Sequence, residues 1–143
     1  MRLSSANVLH KKNTRNTLTI AQMRILHDLG LVIMHERDSH RDCSFGVEEL
    51  MQILPACIVE NGTMYSLKIY KNVFDVVCIA YMDFDTYECI IEAGCDDAPN
   101  TEYPIQSGHL IDLLFETLIK VNTFYPDTLK EYKEKVVHYE KAM

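Results

Sequence analysis

The chain has 143 residues, 48% of them hydrophobic and 24% charged, with 14 Lys and Arg against 21 Asp and Glu. A chain of this size buries about two-thirds of its unfolded surface, so a single compact soluble domain needs neither a metal nor a disulfide to hold its core. The formal charge of −7 argues against a general binder of nucleic acid or of anionic membrane, whose affinity comes from neutralising phosphates.

That charge is unevenly placed. Residues 1–27 hold five bases (Arg2, Lys11, Lys12, Arg15, Arg24) and no acid, leaving nine of the 14 bases against all 21 acids in the rest of the chain. Between Lys71 and Lys120 there are 48 residues with ten acids and no Lys or Arg. Asymmetry of this kind concerns partners and solubility rather than fold.

Residues 1–16 are polar and aperiodic, which predicts a flexible basic arm ahead of one domain over residues 17–143. The first helix is well marked. Thr19 is an N-cap, Gln22 completes a capping box, and Leu18 with Met23 can form a hydrophobic staple. Gly30 stands where a left-handed C′ residue belongs, with Leu31 behind it, so the helix spans about residues 20–29. The run 31–34 is apolar but too short to assign, and residues 35–43 read as a polar loop. Ser44 is the expected cap of a second helix carrying Val47, Leu50, Met51 and Leu54, and Pro55 ends it.

From residue 56 the hydrophobic period changes to two. Residues 56–60 and 63–70 flank Asn61-Gly62, the dipeptide that supplies both positive φ angles of a type I′ turn. A second hairpin is expected from residues 73–82 and 86–93 around a short turn at 83–85. That turn would set Met82 opposite Tyr87, Ala80 opposite Cys89 and Cys78 opposite Ile91 on a core face that also holds Phe74 and Val76. The reverse face would pair Tyr81 with Glu88, Ile79 with Ile90 and Val77 with Glu92, half exposed.

After a Gly- and Pro-punctuated loop at 94–106, Ser107 is the expected cap of a third helix. Its apolar positions exceed one stripe, which predicts a central helix. Beyond Pro126 a last helix carries Leu129, Tyr132, Val136, Tyr139 and Met143 as a narrow seam docked on its own domain. The order indicates an α+β fold. A four-stranded antiparallel sheet of two consecutive hairpins is expected, with two N-terminal and two C-terminal helices mainly on one face.

Chemistry is sparse. The five cysteines make no CxxC pair, and their odd number points to reduced thiols in the cytoplasm. His35, His40 and Cys43 are the ligand types zinc prefers, but no second ligand pair accompanies them. Asp83, Asp85 and Glu88 open like a calcium loop, yet Glu88 and Gly94 occupy the positions that require Gly and Glu. Ser107 and His109 lack an orienting acid, and no glycine-rich phosphate loop is present. No metal or other cofactor is therefore expected. Residues 18–26 resemble the opening helix of winged-helix regulators, but Pro55 and the Asn-Gly hairpin come where a recognition helix should follow.

What remains is surface, and it points to a non-catalytic cytoplasmic protein–protein interaction module: an adaptor, an inhibitor or a self-associating accessory protein. The expected contact residues are Val77, Ile79, Tyr81, Glu88, Ile90, Glu92, Asp96, Asp97, Tyr132 and Tyr139. The partner is expected to be another protein, a basic one or a second copy, with no membrane contact. The alternatives are a DNA-associated regulator using the basic arm and a small metal-dependent enzyme.

Overall fold

The computed structural model describes residues 16–34, 45–94 and 110–142. The expected arm up to residue 15 and the cluster at His35, His40 and Cys43 lie outside these residues. So do Asp96, Asp97, Ser107 and His109.

Helix α1 (Ile20–Asp28) begins where its sequence dictates. The Gln22 N–H donates to Thr19 Oγ1 at 3.1 Å, and the Thr19 N–H donates to Gln22 Oε1 at 3.0 Å, so the capping box is complete. It stops in a Schellman motif: Gly30, at φ +79°, donates to the His27 carbonyl and Leu31 to the Leu26 carbonyl, both at 2.9 Å. Leu18 and Met23 are both buried, as the staple requires. Residues 31–34 form neither helix nor strand, but Leu31 and Val32 enter the core.

Helix α2 (Val47–Ile53) is capped by Gly46 rather than Ser44. The Glu49 carboxylate reaches back and accepts the Gly46 N–H at 2.6 Å, the return half of a capping box, while glycine offers no side chain to accept from the first turn. Leu50 and Ile53 are buried, whereas Met51, expected in the apolar stripe, faces outward. The Leu18 N–H bonds the Phe45 carbonyl at 2.8 Å, which ties the start of α1 to the start of α2.

The sheet is a meander of four antiparallel strands: β1 (Cys57–Glu60), β2 (Thr63–Lys71), β3 (Val77–Met82) and β4 (Cys89–Ala93), in that order. Asn61 at φ +51° and Gly62 at φ +81° make the predicted two-residue turn, with Glu60 opposite Thr63.

The second hairpin corrects the expected register. Tyr81 pairs with Ile91, Ile79 with Ala93, Ala80 with Glu92 and Met82 with Cys89, with a bulge between Tyr81 and Met82. The connection is longer than a three-residue turn. The Asp83 N–H donates to the Glu88 carbonyl at 2.8 Å, and β4 starts at Cys89 rather than 86. The upstream end also differs. Strand β2 runs on to Lys71, and residues 72–76 form a turn in which the Asn72 side-chain oxygen accepts from the Phe74 and Val76 N–H groups. Phe74, expected in the core, is therefore exposed.

The odd-numbered positions Ile79, Tyr81, Ile91 and Ala93 thus face the main core with Ile58, and Val77, Tyr65 and Leu67 pack against it. The alternate positions Val76, Cys78, Ala80 and Met82 are buried as well, so β3 has no solvent face.

Helix α3 (Leu110–Phe124) is central, as its apolar excess predicts. Ile111, Leu113, Leu114, Leu118 and Val121 are buried, and the helix packs on α2, β3, β4 and the 3-10 turn that follows it. That turn (Pro126–Leu129) leads into α4 (Lys130–Ala142). The α4 seam is docked at its start, where Leu129 and Val136 are buried and Tyr132 packs on the core, and it emerges at Tyr139. The fold is α+β, in agreement with the sequence. Among the described residues no helix is long and apolar enough to cross a membrane.

Candidate functional site

In a meander the β1–β2 turn and the β3–β4 loop stand at the same end of the sheet, and here the loop over residues 83–88 is the more elaborate of the two. Its geometry is organised by Asp83. The Asp83 carbonyl accepts the Tyr87 N–H at 2.6 Å, Asp83 Oδ1 accepts the Asp85 N–H at 3.0 Å, and Asp83 Oδ2 accepts the Thr86 hydroxyl at 3.1 Å. Thr86 Oγ1 in turn accepts the Glu88 N–H at 3.3 Å. These are the local side-chain-to-backbone bonds for which Asp and Thr are suited in turns.

The loop closes only with Tyr87 at φ +64°, a left-handed conformation that disfavours a bulky side chain by about 1–2 kcal/mol. Its ring gains little burial in return. Tyr87 is 70% exposed and Phe84 54% exposed, and the acids Asp85 and Glu88 that follow them in the chain are exposed as well. On the adjoining sheet face Lys68 Nζ lies 5.1 Å from the Tyr70 ring centroid and 5.8 Å from that of Phe84, close enough for cation–π attraction.

Outside the second hairpin strands and loop, the described acids of the base-free block are engaged. Asp75 pairs with Lys71 and Glu116 with Lys120, each at 3.2 Å, and Asp112 Oδ1 accepts the Gln22 side-chain amide at 2.8 Å. The negative charge that remains outward on the second hairpin sits on Asp85, Glu88 and Glu92.

Those of the expected contact residues that the structure describes do not form one surface. Ile79 and Tyr81, placed on a half-exposed face by the expected register, are completely buried. The cause is that β3 is covered on both faces, so neither set of its alternating positions is left half exposed. Val77 and Ile90 are half-buried and pack against the core. Glu88 and Glu92 are exposed, Glu88 within the 83–88 loop and Glu92 on β4. Tyr132 and Tyr139 lie on a separate groove beside Val136, bordered by Val32, Ile33 and Phe45.

Sequence reasoning missed Phe84 and Tyr87. The available signal was two aromatics set between acids in a run of turn-forming residues.

Among the described residues no group of three His, Cys, Asp or Glu side chains could hold a metal ion. The hydroxyls whose acidity is weakened, Tyr81, Tyr125 and Tyr132, are shifted first by burial. At Tyr125 the hydrogen bond to Glu60 adds to that shift. No family model, curated protein or solved structure matches the chain.

Proposed function

We propose that the protein is a small non-catalytic interaction module of the cytoplasm, an adaptor, inhibitor or accessory factor, and that it binds a basic partner protein through the 83–88 loop. The observation that carries this reading is the exposure of Phe84 and Tyr87 on a hydrogen-bonded loop whose Tyr87 backbone is held in an unfavourable conformation. Solvent-exposed aromatics on a pre-organised scaffold are the anchors around which interfaces concentrate their binding energy. The flanking acids select the partner. Asp85 and Glu88 beside the two rings favour Lys- or Arg-bearing surfaces and disfavour a second copy of this loop.

The test is affinity capture from native cell extract with the wild-type chain and with the double variant Phe84→Ser, Tyr87→Gly. Both side chains are exposed, and glycine suits the φ of residue 87, so the variant keeps the wild-type melting temperature. Basic proteins retained by the wild type should elute as salt is raised and be lost with the variant. Equal retention by a variant of unchanged stability overturns the reading.

A further inference from the structure

A meander has two edge strands, and in this protein they are treated differently. At β4, Lys120 Nζ on α3 donates to the Glu92 carbonyl at 2.6 Å, and α3 packs along the strand. Among the described residues strand β1 has no such guard. Its close packing within the described residues is against β2.

The hairpin register says which groups the β1 edge presents. Glu60 opposite Thr63 is the closing, hydrogen-bonded pair of a two-residue turn. Bonded pairs alternate along an antiparallel ladder, so Ile58 opposite Tyr65 is bonded, as is Ala56 opposite Leu67, where the Leu67 N–H reaches the Ala56 carbonyl at 3.0 Å. The intervening residues, Cys57 and Val59, therefore direct both N–H and C=O away from the sheet. None of these four groups bonds to another described residue.

We infer that the β1 edge pairs antiparallel with the β1 edge of a second copy of this chain. The edge is self-complementary. Its outward residues lie symmetrically about Ile58, so a two-fold axis there sets Cys57 of one copy opposite Val59 of the other, twice, with all four groups of each strand paired.

The side chains agree with a second copy as the occupant. Val59 is 62% exposed, and Met64, its cross-strand neighbour, is 58% exposed, so an apolar pair stands beside the edge where the other copy would cover it. The one charge on the strand, Glu60, is drawn aside by the Tyr125 hydroxyl at 3.0 Å and in this register meets Ala56 rather than another acid. No proline or lysine lies within β1 to discourage pairing. The result is a continuous eight-stranded sheet, formed at a site separate from the 83–88 loop.

The test is sedimentation equilibrium of the full chain up to about 1 mM, under reducing conditions and at high salt, so that repulsion between two chains of −7 is screened. The wild type should shift from 16.5 kDa toward twice that mass. Val59→Pro removes an N–H that the monomer's own ladder does not use, and should weaken association at least about tenfold with little change in melting temperature. A second variant reads the register directly. Val59→Cys should give a covalent dimer on mild oxidation, because its thiol faces Cys57 of the other copy, and adding Cys57→Ala should abolish it. A wild type that stays monomeric throughout, a Val59→Pro variant that associates like the wild type, or a Val59→Cys cross-link that survives loss of Cys57 overturns the inference. None of these outcomes bears on capture by the 83–88 loop.

Discussion

The Tyr81 hydroxyl donates a 2.7 Å hydrogen bond to the Pro55 carbonyl oxygen, joining the middle of the sheet to the residue that ends α2. The side chain is fully buried but Pro55 is only half-buried, so Tyr81→Phe leaves a partly shielded carbonyl without its donor, at a cost of about 1 kcal/mol in urea unfolding at neutral pH. Burial, assisted by Cys57, raises the pKa of this hydroxyl above the usual 10. The fold thus holds the protonated form. Its contribution is complete below the unfolded value near 10 and is lost as pH rises through the higher folded value. Stability should therefore fall above about pH 10, and less steeply in the Phe variant.

Two glycines with nearly the same φ should respond differently to alanine. At Gly30, φ +79°, an added methyl would meet only open space, so Gly30→Ala carries the backbone cost alone, about 1 kcal/mol. At Gly94, φ +85°, the new Cβ would lie 2.6 Å from the Val77 carbonyl oxygen and 3.1 Å from Leu113 Cδ2. Overlap against β3 adds about 1–3 kcal/mol to that backbone cost. Paired thermal melts check the order.

Gln22 serves two partners. Its Oε1 completes the capping box with Thr19, while its Nε2 donates to Asp112 on α3 at 2.8 Å. Thr19→Ala should cost about 1 kcal/mol. Gln22→Ala should cost as much or more because it also releases α3, and the double variant should fall short of the sum because the box bonds are shared. Chemical denaturation of the three variants measures this.

Lys120 guards the β4 edge. Lys120→Ala frees the Glu92 carbonyl and breaks the partly exposed pair with Glu116, a loss of no more than about 1 kcal/mol in stability. Its larger effect should be on association beyond the dimer, seen as light scattering that rises with concentration further than in the wild type.

Local chemistry explains which elements can be read from the sequence. Thr19, Gln22 and Gly30 bound α1, and Asn61-Gly62 fixes the first hairpin, because each acts through bonds within a few residues. The second hairpin escapes because β3 is apolar on both faces and carries no alternation to set its register. Its loop depends on a left-handed Tyr87, a conformation tyrosine does not advertise. The site depends on the same loop. A three-residue turn would draw Tyr87 into the strand opposite Met82, whereas the longer loop displays it near Phe84.

Strand β3 is laddered on both sides, to β2 and β4, and sealed above and below. Opening it requires removing the helices and both neighbouring strands together, so its amides should exchange with solvent deuterium only through global unfolding. In the unpaired chain, at concentrations too low for the dimer, the outward amides of Cys57 and Val59 need no opening at all. The slowest and fastest clocks of this sheet thus tick two strands apart.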